Sequence, residues 1–180
     1  MRALAGAAAM TLLSIASAPA AGEVTARAPE GFVVRHELML AAAPEAAYRA
    51  LVDDVARWWN ADHSYSGVAG NLSIDGRAGG CFCEALPGGG SVEHMRVVFA
   101  QPGRLLRLSG GLGPLQGMGA GGVMDFAFEP AEAGGARLRF SYTVGGFAPG
   151  GLDGMADPVD GVLADQLGRL QRHLAAAGSD

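Results

Sequence analysis

The closing stretch of the chain, D-P-V-D-G-V-L-A-D-Q-L-G-R-L-Q-R-H-L from residue 157, limits the possible folds more than any other segment. Val159, Val162, Leu163, Leu167, Leu170 and Leu174 recur at spacings of three and four, which makes one apolar stripe on a helix over about residues 158–176. Asp157 and Pro158 supply an N-cap and a first-turn proline. At 1.5 Å per residue the helix is ~28 Å long, enough to cross a whole sheet. Upstream, residues 31–41 (GFVVRHELMLA) read as a strand, and further strands are predicted near 70–75, 79–86, 91–100, 104–109, 122–130 and 136–144, with Gly- and Pro-containing turns between them. Between the first strand and the rest, Pro44 opens a helix on which Ala47, Tyr48, Leu51, Val55, Trp58 and Trp59 share a face. The order implies an α+β fold, an antiparallel sheet wrapped around one long helix.

The first twenty residues have the make-up of an export signal: Arg2, an apolar run through Met10, Leu12, Leu13 and Ile15, then Ala18-Pro19-Ala20 as a small-residue cleavage site. The run falls short of the ~20 apolar residues of a membrane span, so no stable membrane insertion is expected after signal removal. The expected organisation is a signal at 1–20, a linker at 21–30, one domain over 31–176 and a tail at 177–180, in a periplasmic or secreted protein. The formal net charge is −5 and every one of the 13 basic residues is an arginine. That balance disfavours nucleic acid or an anionic membrane as the main partner. Two cysteines are too few for a disulfide framework.

Residues 79–99, GGCFCEALPGGGSVEHMRVVF, read as a β-hairpin. Alternation separates Phe82, Glu84 and Leu86 from Cys81, Cys83 and Ala85, and Met95, Val97 and Phe99 from His94, Arg96 and Val98. A Pro87–Gly90 turn pairing Leu86 with Ser91 sets Glu84 opposite Glu93, Phe82 opposite Met95 and Cys83 opposite His94. Both glutamates then point inward with the apolar residues, and the cysteines point out. Three fates of Cys81 and Cys83 follow: unbridged thiols on a regular strand, which is the expectation; a disulfide, which an extended strand resists unless a bulge shortens it; or a metal site with His94, whose fourth ligand has no candidate.

The helix A-P-E-A-A-Y-R-A-L-V-D-D-V-A-R-W-W, the strand start G-G-C-F-C-E, the strand Q-P-G-R-L-L-R-L and the closing G-V-L-A-D-Q-L-G-R-L-Q-R-H-L together resemble the SRPBCC or START-like superfamily. The branch most similar is the one named for the activator of the heat-shock chaperone ATPase. The resemblance spans about residues 31–176. It implies a helix-grip fold with a cavity between sheet and C-terminal helix. The superfamily's roles range over lipid carriers, metabolite binders, polyketide cyclases, stress-response proteins and chaperone regulators.

Two loops bear on such a cavity. Gly117, Gly119 and Gly122 have the G-x-G-x-x-G spacing of a dinucleotide loop, but an alternating strand follows where a helix is required, so no cofactor is expected. The segment reads as a connection over the cavity mouth, with Leu112, Leu115 and Met118 as gates or core plugs. W-W-N-A-D-H-S-Y-S-G, residues 58–67, combines apolar rings with polar groups at Asp62, His63, Ser64 and Tyr65, the make-up of a small-molecule pocket. His36 and His173 read as solvent-facing.

The expected protein binds a small hydrophobic or amphipathic molecule through Trp58, Trp59, His63, Phe82, Glu84, Met95, Val97, Leu115 and Met118. One alternative is a cyclase-, lyase- or hydrolase-type enzyme with Glu84 and His63 or Tyr65 as acid and base. Another is a protein-interaction module using the outer sheet face.

Overall fold

The computed structural model describes residues 21–178. The expected signal at 1–20 and the last two residues of the expected tail lie outside them. Eight antiparallel strands form one sheet: β1 (Ala21–Ala28), β2 (Gly31–Leu40), β3 (Leu72–Ile74), β4 (Cys81–Ala85), β5 (Ser91–Gln101), β6 (Leu105–Gly110), β7 (Gly119–Pro130) and β8 (Ala136–Phe147). Their spatial order is β1-β2-β8-β7-β6-β5-β4-β3. Helices α1 (Pro44–Asp53) and α2 (Val55–Trp58) connect β2 to β3, and α3 (Ala156–Ala177) closes the chain. The architecture is the expected α+β helix grip.

Period-two alternation builds the core from one sheet face. Phe32, Val34, Leu38 and Leu40 of β2, Leu138, Phe140, Tyr142 and Val144 of β8, and Met124, Phe126 and Phe128 of β7 are all buried on it. Leu163, Leu167, Leu170 and Leu174 of α3 are buried against them, with Ala47, Tyr48 and Leu51 of α1 alongside. The stripe read from sequence is therefore the gripped face.

Several expectations are corrected. Residues 21–30, read as a linker, carry β1, which pairs with β2 from Ala21↔Glu37 to Ala28↔Gly31. An edge strand needs backbone partners on one side only, so its weak apolar pattern hides it from sequence. The α3 helix begins at Ala156 with Met155 as N-cap, so Asp157 lies inside the first turn and pairs with Arg27 of β1 instead of capping. His36 is buried, because it shares its face with Val34 and Leu38, and its Nε2 lies 2.8 Å from Asp160 Oδ1 on α3. His173 is half-buried, its Nε2 3.0 Å from Asp54 Oδ2, where α1 gives way to α2. No helix among the described residues is long and apolar enough to cross a membrane.

Candidate functional site

The β4–β5 hairpin departs from the expected register in two places that cancel. The turn is one residue longer than a four-residue loop: the Leu86 N–H donates to the Gly90 carbonyl at 2.8 Å, and Ala85 is the residue opposite Ser91. Positive φ at Gly88 and Gly89 makes that turn accessible. Glu84 is thus opposite Val92 and Cys83 opposite Glu93. A bulge at His94 then restores Phe82↔Met95 and Cys81↔Arg96.

That bulge changes which side chains face the core. His94 and Met95 are consecutive, yet both are buried. Glu93, expected inside with Glu84, points outward and pairs with Arg96 at 2.5 Å. A second bulge, between Val97 and Phe99 against β6, leaves Phe99 exposed where alternation had placed it inside. The cysteines do face away from the core, but they are joined as a disulfide. This corrects both the unbridged thiols and the Cys81–Cys83–His94 metal alternative: the sulfurs are bonded to each other and the imidazole lies on the opposite face.

Inside, Glu84 is 1% exposed and His94 5%. Their side chains meet, His94 Nε2 to Glu84 Oε2, at 2.9 Å. The carboxylate also accepts the backbone N–H groups of Tyr65 at 3.0 Å and Ser66 at 2.5 Å. Burial by itself would raise the Glu84 carboxyl, but the bonds from Ser66, Tyr65 and His94 outweigh it and hold it below its ordinary range. Burial pushes the His94 imidazole down, against the pull of Glu84. The pair at neutral pH is therefore a carboxylate with a neutral imidazole. Glu84 must accept, so Nε2 carries the proton and Nδ1 is an acceptor; Nδ1 is buried and has no partner among the described residues. A Glu–His pair with a free ring nitrogen can orient a hydrogen-bonding ligand or take a proton.

Rings fix the imidazole. Tyr65 stacks on it with centroids 5.7 Å apart and planes 22° apart, Phe82 lies 4.9 Å away, and Trp59 packs edge-on to Phe82 at 5.0 Å. The loop that brings Tyr65 here is tied down twice. Asn60 donates through its backbone N–H to Gln166 Oε1 at 2.8 Å and through Nδ2 to Asp165 at 2.9 Å, both on α3, while Trp59 Nε1 donates to the His63 carbonyl at 3.0 Å.

His94 and Tyr65 border a cavity of about 410 Å³. Trp59, Asp62, His63 and Ser64 form one wall, Leu112, Gly113 and Pro114 a second, and Met155 at the N-cap of α3 with Pro158, Val159, Val162 and Leu163 of its first half the third. Tyr65 bridges two walls, its hydroxyl donating to the Gly113 carbonyl at 3.1 Å. The Gly113 wall is pinned from below by Tyr142, whose buried hydroxyl donates to the Gly110 carbonyl and accepts from the Leu112 N–H, each at 3.1 Å.

Of the residues expected to bind ligand, Trp59 and His63 line this cavity. Phe82 and Glu84 form the layer behind His94, and Met95, Val97 and Leu115 are core residues outside the wall. Trp58 is buried with its Nε1 donating to the Ala50 carbonyl at 3.2 Å, and Met118 is on the surface. Leu112 is the one gate candidate in the wall. Glu84 meets neither expected partner through a side chain: Tyr65 reaches it by backbone only, and His94 takes the place given to His63. Sequence reading placed His94 outward, as a metal-ligand alternative, and missed Asn60, Gln166 and Tyr142, since each acts through a bulge, a loop or a long-range bond without a local pattern.

No family model matches the chain, and no curated protein does. Solved structures do match in fold. An uncharacterised protein from Rhizobium leguminosarum is 20% identical with a TM-score of 0.58, over 87% of this chain and 98% of that one. CalU16 from Micromonospora echinospora is 19% identical with a TM-score of 0.51, over 87% and 95%. DynU16, a protein in the dynemicin biosynthetic locus, is 17% identical with a TM-score of 0.56; the match covers 81% of this chain and 48% of DynU16, so the chain spans about half its length. At these identities the likeness is one of fold.

Proposed function

We propose that this protein holds a small hydrophobic or amphipathic molecule in the 410 Å³ cavity, with a donor group of the ligand bonded to His94. The observation that carries this reading is the Nδ1, unpartnered among the described residues, of a cavity-lining imidazole fixed by Glu84, in a cavity whose walls are mainly apolar with Asp62, His63 and Ser64 on one side. A buried polar atom left unpaired is costly, and a ligand N–H or O–H satisfies it. The volume falls within the ~300–1,000 Å³ typical of small-molecule sites. The resemblance to the START-like superfamily and the fold shared with DynU16, a protein in a biosynthetic locus, agree with such a role by analogy. Export by residues 1–20 belongs to the same proposal and is tested by N-terminal sequencing of the secreted chain, expected to begin at Ala21.

Native mass spectrometry of the protein from its own host is expected to show one added small mass, lost or much reduced in His94→Phe. Recovery of only the bare chain, or equal retention by both forms, overturns the reading. The free Nδ1 also favours a second reading, an acid–base enzyme of cyclase, lyase or hydrolase type with His94 as base and Glu84 as its positioning partner. Under it, Glu84→Gln keeps the added mass but turns over none of it.

A further inference from the structure

The disulfide and the bulge that turns His94 inward lie face to face. Cys81 is opposite Arg96 and Cys83 is opposite Glu93, so the two bonded residues pair with the two that bracket His94 and Met95. Two steps along β4 therefore match three along β5. The Cys81–Cys83 Cα separation is 5.4 Å, shorter than the ~6.4–6.8 Å of two residues on a regular strand. The bond holds β4 contracted where β5 is bulged, and the Glu93–Arg96 ion pair closes the same span on β5. Both ties are on the outer face, where the cysteines are half-buried.

We propose that Cys81–Cys83 is a thiol–disulfide exchange site whose oxidation state sets whether His94 faces the cavity. The co-substrate is a dithiol, either a small molecule or a dithiol protein. Its first thiolate attacks one cysteine sulfur, the S–S bond breaks and a mixed disulfide forms. Its second thiol then displaces that cysteine, leaving two protein thiols and the oxidised dithiol, with two electrons and two protons transferred. Freed of the bond, β4 can take regular spacing. Continuing the Phe82↔Met95 register without a bulge puts Cys83 opposite His94 and Glu84 opposite Glu93. Alternation then sends His94 to the outer face. The slip is local, confined to the residues from Cys83 to His94, and Gly88, Gly89 and Gly90 let the turn shorten to four residues. Glu84 keeps its two backbone donors at Tyr65 and Ser66, loses the imidazole and faces the Glu93 carboxylate in its place, while the Glu93–Arg96 pair opens. The oxidised state is then the one with a complete site.

The part of this inference that concerns ligand affinity rests on the binding role proposed for His94; the rotation of the side chain does not. The test uses the full chain with ¹⁵N-labelled histidine, His94 being assigned by loss of its signal in His94→Phe. In the oxidised protein a protected Nε2–H bonded to Glu84 is expected. After dithiothreitol, with both thiols confirmed free by mass, that protected proton is expected to disappear and to return on reoxidation. Cys81→Ser with Cys83→Ser should match the reduced spectrum without any reductant. A His94 signal unchanged with both thiols free overturns the proposal, as does a disulfide that dithiothreitol cannot reduce in the folded protein. Binding of 1-anilinonaphthalene-8-sulfonate is followed in parallel and is expected to weaken roughly tenfold on reduction, about the worth of one lost hydrogen bond. If the dye fails to bind in either state while the His94 signal still switches, the binding role fails and the exchange site stands.

Discussion

Strands β7 and β8 pair over twelve consecutive residues without a break, whereas β5 carries a bulge toward each of its neighbours. The two regions share one sheet and the same pleat, yet they do different work. Unbroken alternation sends every second residue of β7 and β8 inward, and on that face it buries Leu138, Phe140, Tyr142, Met124, Phe126 and Phe128. On β5 the extra residue places His94 beside Met95 in the interior, where strict alternation forbids it. The regular wall supplies cohesion and the irregular one supplies chemistry. A polar pair can be buried here because the distortion is matched by dedicated partners, namely two backbone N–H groups from the 60–66 loop.

The comparison can be broken most forcefully in the regular wall. Leu138→Ala or Leu167→Ala should cost about 2–5 kcal/mol in urea unfolding, through lost burial and a cavity, without altering the His94 signal. Leu163→Ala, at the cavity border, should fall at the low end of that range. In the irregular wall Glu84→Gln should cost about 1.5–3 kcal/mol, because an amide replaces the acceptor of charge-assisted bonds. Equal losses at Leu138 and Glu84 with equal effects on His94 would erase the distinction.

Acid should find the irregular wall first. The His94 pKa is lower folded than unfolded, so the unfolded chain binds more protons just below 6.5 and stability falls as pH drops from there. The Glu84 pKa is also lower folded, so its contribution is present above 4.5 and is lost as pH falls through the folded value. Both act in one direction. Wild type should lose stability in two stages, and His94→Phe should lack the first; a variant that keeps the first stage assigns it to another group. The smallest effect is expected at Arg96→Gln, under ~1 kcal/mol, since both partners of that ion pair are about half-exposed.

The grip of sheet on helix was legible in the sequence because it rests on periods: Val159 through Leu174 at three and four, Phe32 through Leu40 at two. The inward position of Glu84 and the outward position of Cys81 were legible for the same reason. His94 was not. Its orientation depends on a turn one residue longer than assumed and on a bulge that cancels the error by Phe82, so the expected Phe82↔Met95 pair is found in a hairpin whose loop end is shifted. Glu93 followed the same shift outward. Nor could β1 be read, since an edge strand is held by backbone bonds that any sequence can make. Asn60, Gln166 and Tyr142 act across more than thirty residues or through main-chain atoms, and no window of sequence contains both ends of such a bond.

The Tyr142 hydroxyl sits in the regular wall yet holds the rim of the cavity, bonding to Gly110 and Leu112 on either side of the turn into Gly113. A phenylalanine there would keep the packed ring and lose only those two bonds. Leu112 and Gly113 would then swing outward more often, while the closed chamber kept its shape. For any molecule held inside, escape and entry would quicken together, because both pass the opened rim, and the residence time would shorten with little change in affinity. A side chain that touches nothing in the chamber would in this way act as the timer of its occupancy.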